Sequence, residues 1–211
     1  MQKIIPAQVC MKSRQQGKIK ITAMAKSINE NLKKQLDKMT VWFYKYYPVR
    51  IKNVGDKEKS ERQIIWDFKD GRAYEEVAQM TADRLKEAFG KGLKDIVFLC
   101  IPASTPDKNE LRYKKFSERV CELTHACDGY SHISVTGERL TVHEHRNNEK
   151  EIRKNNVIEF DTHFFYGKSV ILFDDIITKG ISYATIAEQL ESFGANVLGG
   201  FFLAKTFYKI R

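Results

Sequence analysis

Two adjacent carboxylates, Asp174 and Asp175, stand at the end of an apolar run and are followed closely by Thr178, Lys179, Gly180, Ile181 and Ser182. An ionised carboxylate only accepts hydrogen bonds, so a neighbouring pair suits the vicinal hydroxyls of a sugar and, at one remove, a magnesium ion. Thr178 and Ser182 supply hydroxyls, and Gly180 lets the backbone approach a ligand closely. A helix opening near Tyr183 would point its unpaired N–H groups back at the turn, where a phosphate could be held. These types at this spacing read as a sugar-phosphate site.

Such a site needs a scaffold that brings the acids to a crevice. Val170-Ile-Leu-Phe173 is wholly apolar, the mark of a central parallel strand whose carboxyl end opens at the ligand crevice of an α/β sheet. A second apolar run, Ile96–Ile101, is closed by Pro102-Ala103-Ser104-Thr105-Pro106, and a third covers Val197–Ala204. Between them the spacing predicts helices over Tyr74–Phe89, about Leu111–Ala126, and Tyr183–Phe193, with Gly90, Gly92 and Gly194 as stop signals. This alternation predicts an α/β fold with an open, mostly parallel sheet and flanking helices. Upstream, Ala25, Ile28, Leu32, Leu36 and Met39 recur at helical spacing across Ala23–Met39. Val41–Ile51 is aromatic and basic, and Pro48 confines it to an edge strand or an extended segment. Asn53–Glu61 reads as a charged loop. Residues 128–166 show little periodicity and carry Arg139, Arg146, Lys150, Arg153 and Lys154, so they read as a long cationic connection of the kind that usually serves function.

Arg112, Lys114 and Lys115 fall at the expected start of the helix from Leu111. The helix dipole already makes such an end positive, so three cations there predict an anion nearby. Charge is also uneven along the chain. Of a net +9, residues 1–60 hold 14 Lys/Arg against 4 Asp/Glu, and the remainder is nearly neutral at 22 against 23. Nucleic-acid or protein contact would therefore rest on residues 1–60 and not on the body of the fold. The aromatics interleaved with Lys45 and Arg50 can stack bases, and they can equally serve as core or interface.

At 211 residues and 42% hydrophobic, the chain suits one core, divided here into a basic N-terminal segment, 1–39, and an α/β domain, 40–211. Cys10, Cys100, Cys121 and Cys127 form no C-x-x-C pair, which argues against a zinc ribbon or a disulfide framework and for a reducing cytoplasm. No apolar stretch approaches the roughly eighteen residues of a membrane span, and no secretory leader is evident. His143-Glu144-His145 lacks a third ligand placed by the sequence, so a metal reading there is set aside.

The run from Val170 to Ser182 resembles the phosphoribosyl-pyrophosphate (PRPP) motif of type I phosphoribosyltransferases, in which a hydrophobic strand leads into Asp-Asp, two variable residues and a Thr-Thr-Gly-x-Thr/Ser loop. Lys179 departs from it, standing where a small hydroxyl residue is usual. Phe68-Lys69-Asp70-Gly71, Cys100-Ile-Pro102-Ala103-Ser104 and Arg112-Tyr-Lys114-Lys115-Phe116-Ser117 are similar to segments of the ComF-like competence-protein branch, over roughly residues 40–211. Lys115 and Ser117 replace that branch's glycine and asparagine, and the zinc-ligating N-terminal cysteines of many relatives are missing. The resemblance implies that Asp174 and Asp175 bind ribose hydroxyls and, indirectly, Mg2+. It implies that Thr178, Lys179, Gly180, Ile181 and Ser182 cradle the 5′-phosphate, and that Ala103, Ser104, Arg112 and Lys114 meet pyrophosphate. The implied substrates are PRPP and a nitrogenous base or amine, with a variable hood drawn from Val41–Arg50 and parts of 128–166. A non-catalytic PRPP-binding protein and a homodimer stay open as alternatives.

Overall fold

The computed structural model describes residues 30–144 and 150–209. Its helices are α1 (Glu30–Leu36), α2 (Asp56–Lys69), α3 (Tyr74–Phe89), α4 (Pro106–Asn109), α5 (Lys115–Thr124), α6 (Thr162–Phe165) and α7 (Ile181–Ser192). Its strands are β1 (Met39–Tyr46), β2 (Ile96–Cys100), β3 (Cys127–Asp128), β4 (Ile133–Glu144), β5 (Lys150–Phe160), β6 (Ser169–Ile177) and β7 (Asn196–Thr206). Five strands form one sheet in the order β1-β7-β6-β2-β3, with every pairing parallel. An open parallel sheet with flanking helices is thus the architecture, as the apolar runs predict.

The order follows from the side chains. All five residues of β2 and Val170–Phe173 of β6 are buried, which only a strand covered on both faces tolerates. Ile171, Phe173, Phe98, Cys100 and Phe201 pack under α2, α3 and α5 with Phe68, Val77 and Phe116. Val170, Leu172, Val97, Leu99 and Phe202 turn to the other face, against Leu32 of α1, Phe165 of α6 and Ala184 and Leu190 of α7. β1 has no fully buried residue and takes a sheet edge.

Four expectations are corrected. The helix sought over Ala23–Met39 is described only from Glu30 and stops at Leu36, and Met39 already pairs with Gly199 as a strand residue. The charged loop at Asn53–Glu61 gives way to α2 from Asp56, because Ile65 and Phe68 anchor a buried stripe. Asp56 and Glu58 in its first turn suit the positive helix end, and Lys57 pairs with Glu61 one turn on. Residues 128–166 are largely an antiparallel ribbon of β4 with β5, a sheet of its own. Thr136 pairs with Val157 and Glu138 with Asn156, so Gly137 is an extra residue in β4. An alternation that begins on Ile133 and Val135 therefore resumes on Leu140 and Val142, and its period is lost to inspection. The expected hood changes too: Val41–Tyr46 belong to the main sheet, and only residues beyond Tyr46 leave it.

Candidate functional site

β6 delivers both acids to the carboxyl edge of the sheet, beside the end of β2, where the Ile101 N–H donates to the Phe173 carbonyl at 2.8 Å. Asp175 falls on the α2/α5 side and is 6% exposed. The Arg112 guanidinium donates to its Oδ2, and Lys69 Nζ stands 3.6 Å from its Oδ1. Asp174 is half-buried; its Oδ1 accepts the Tyr113 hydroxyl at 2.9 Å and the Asp175 N–H at 2.8 Å. Burial, and then the charge of Asp175, raise the Asp174 carboxyl to about 7. Burial pushes the Tyr113 phenol well up, so it remains a donor.

Two consecutive residues thus meet two consecutive acids. The local cause is backbone geometry: Glu110–Lys114 form a π-helical turn between α4 and α5, and such turns re-aim side chains, frequently at functional sites. The helical run consequently begins at Pro106, capped by the Thr105 hydroxyl. Arg112 and Lys114 lie well inside it, so these cations do not crowd a helix N-terminus as their position in sequence predicts. Lys114 makes its ion pair with Glu110 on the exposed face, not with the strand-end acids. Ala103 and Ser104 occupy the loop after β2, where the Ala103 N–H is taken by Asn109 Oδ1 at 3.0 Å and Ser104 is exposed.

Beyond the acids, Gly180 adopts φ +73° and caps α7, whose first turn faces a cavity of about 310 Å³. Asp174, Thr178, Lys179, Gly180, Ser182 and Tyr183 line it. All the loop residues named from the sequence gather here with one of the acids. The Thr178 hydroxyl shares a 2.8 Å hydrogen bond with that of Thr206. The buried Tyr183 hydroxyl has no partner among the described residues. Lys179 is exposed and pairs with no carboxylate among them. Asp175 opens on a different space, about 450 Å³, with Lys69 and Arg50 among its walls.

No family model matches the chain, and no curated protein matches it. Among solved structures it is similar to an adenine phosphoribosyltransferase, at 17% identity over 63% of this chain and 69% of the other, with a TM-score of 0.41. A hypoxanthine phosphoribosyltransferase from Staphylococcus aureus matches at 15% identity over 65% and 68%, TM-score 0.35. An adenine phosphoribosyltransferase from Rhodothermus marinus matches at 16% identity over 60% and 66%, TM-score 0.37. The site stands on its own side chains.

Other chemistries find less support. Cys100, Cys121 and Cys127 are free thiols, and burial pushes Cys100 and Cys121 up, away from the thiolate a nucleophile needs. Among the described residues no group of three or more His, Cys, Asp and Glu could hold a metal ion, and no helix is long and apolar enough to cross a membrane. His145 lies outside the described residues. Tyr113 and Lys69 were not among the sequence candidates for the site. Lys69 is carried by the resemblance segment from Phe68 to Gly71, whereas Tyr113 gives no signal in sequence, because a phenol beside cations looks like any core tyrosine.

Proposed function

We propose that this chain binds PRPP with magnesium and transfers its phosphoribosyl group to a nitrogenous base or amine, releasing pyrophosphate. The observation that carries this reading is the gathering, at one sheet edge, of two β6 acids with a left-handed glycine turn that opens α7. Asp174 and Asp175 take the ribose hydroxyls. Thr178 to Ser182 and the first N–H groups of α7 take the 5′-phosphate. Arg112 and the Ala103–Ser104 loop lie on the side where pyrophosphate departs.

Two carboxylates are too few for a resident metal cage but suit Mg2+ that arrives on the donor's phosphates and keeps most of its waters. The metal is thus part of the substrate, and when bound it offsets charge on the leaving group. In the reaction the bond from the anomeric carbon to a pyrophosphate oxygen breaks, the oxygen keeping the electron pair. An acceptor nitrogen forms the new bond with its lone pair and, where it carries a hydrogen, gives up a proton to solvent. The chain's residues contribute by orienting the donor, matching its charges and excluding water from an oxocarbenium-like state.

A second reading has its own observation. Arg112 and Tyr113 already occupy both acids, which suits a protein that binds PRPP reversibly without turning it over. Titration calorimetry of magnesium-PRPP on the wild type and on Asp174→Asn/Asp175→Asn, followed by a pyrophosphate-release assay over a panel of bases, separates the two. Binding lost in the variant together with release supports the transferase. Binding without release supports the second reading, and no binding by the wild type overturns both.

A further inference from the structure

The cavity on the Asp175 side has walls of an unusual kind. Tyr46 at the end of β1, Pro48 just after it, and Tyr208 beyond β7 present flat or apolar surfaces, while Arg50 and Lys69 bring cations. Its volume, about 450 Å³, is in the range of small-molecule sites. The Arg50 guanidinium lies over the Tyr208 ring, its Cζ 5.3 Å from the ring centroid, within reach of a cation–π contact. A guanidinium carries a planar fork of N–H donors that can grip a carboxylate with two parallel hydrogen bonds.

The charges decide which ligand fits. Asp175 would repel an anion, but Arg112 and Lys69 already match it. Arg50, on another wall, pairs with no carboxylate among the described residues. The cavity is left with a cation to spare and with aromatic edges beside it. We infer that this cavity receives the acceptor, and that the acceptor is a planar nitrogen compound bearing a carboxylate, gripped by Arg50 and flanked by Tyr46 and Tyr208. The inference rests on the transferase reading for the word acceptor and on this cavity alone for the carboxylate.

The test is binding, with the full chain, of matched probe pairs that differ in the carboxylate: nicotinate against nicotinamide, orotate against uracil, and 2-aminobenzoate against aniline. Each is titrated calorimetrically with and without magnesium-PRPP. At least one acid should bind roughly tenfold tighter than its neutral counterpart. Arg50→Gln should erase that preference and Arg50→Lys should keep part of it, with the thermal midpoint unchanged since the side chain is exposed. Equal binding within every pair, a preference untouched by Arg50→Gln, or no binding by any acid overturns the inference. A carboxylate preference without pyrophosphate release leaves the cavity's specificity standing and removes the transferase. Release with neutral acceptors only does the reverse.

Discussion

Burial and the charge of Asp175 hold the Asp174 carboxyl at about 7, whereas an unfolded chain ionises it near pH ~4. Between those values the folded state keeps a proton that the unfolded state has released, so stability falls as pH rises through the window, and the loss is complete above the folded value. Asp174→Asn retains an oxygen for the Tyr113 hydroxyl and removes the ionisation. It should flatten the pH dependence of stability and exceed the wild type at pH 8 by on the order of 1–2 kcal/mol, read by urea denaturation at pH 5 and 8. The Tyr113 hydroxyl acts in the opposite sense, its hydrogen bond lowering the Asp174 carboxyl. Tyr113→Phe keeps the ring against Phe68, whose centroid lies 6.1 Å away, and deletes the donor. A stability loss of about 1–2 kcal/mol is expected. The pH midpoint for PRPP affinity should also move upward, and a midpoint identical to wild type would show that Asp174 does not govern donor binding.

Among the elements, the turn from β6 into α7 couples most directly to the rest of the fold. Gly180 has φ +73°, and a Cβ there would come within 2.6 Å of Leu36 Cδ2, the flexible end of a side chain on α1. Gly180→Ala should therefore cost about 1–3 kcal/mol, mostly backbone strain. Adding Leu36→Ala should remove the clash but not the strain, so a double-mutant cycle by denaturation should show a coupling of only a few tenths of that cost. The β4–β5 ribbon pairs only with itself, so deleting Arg139–Lys154 should spare the main sheet and, if the ribbon closes over the bound donor to keep water out, lower turnover far more than PRPP affinity; an unchanged rate would remove that role. The elements differ in how well their sequences disclose them. β2, β6 and α3 could be read because a single burial pattern runs their whole length. α2 was hidden because its first two turns are charged and its anchors, Ile65 and Phe68, come late, and the ribbon because the extra Gly137 breaks its alternation. The acids and the turn after them were legible as a compact motif. Arg112 was assigned to pyrophosphate, and its pairing with Asp175 depends on a π-helical turn that residue types do not announce.

Across the whole molecule the charge asymmetry is only partly absorbed by folding. Within residues 30–60, Lys38 pairs with Glu191 and Lys59 with Asp56, while Lys45 lies over the Phe207 ring and Arg50 over Tyr208. Residues 1–29, outside the described part, contain six Lys/Arg and no Asp or Glu. If this excess contacts nucleic acid through phosphates, counter-ion release sets the salt dependence, at about −0.7 in log-log slope for each phosphate of a single strand. Fluorescence anisotropy with a labelled single-stranded oligonucleotide, from low to high salt, should then give a slope of several units, and removal of residues 1–29 should reduce it by most of its value. Stacking on the aromatic residues of β1 would instead leave a component that salt does not remove and that Trp42→Ala weakens. A slope near zero for the full chain would assign the basic excess to solubility or to an acidic protein surface.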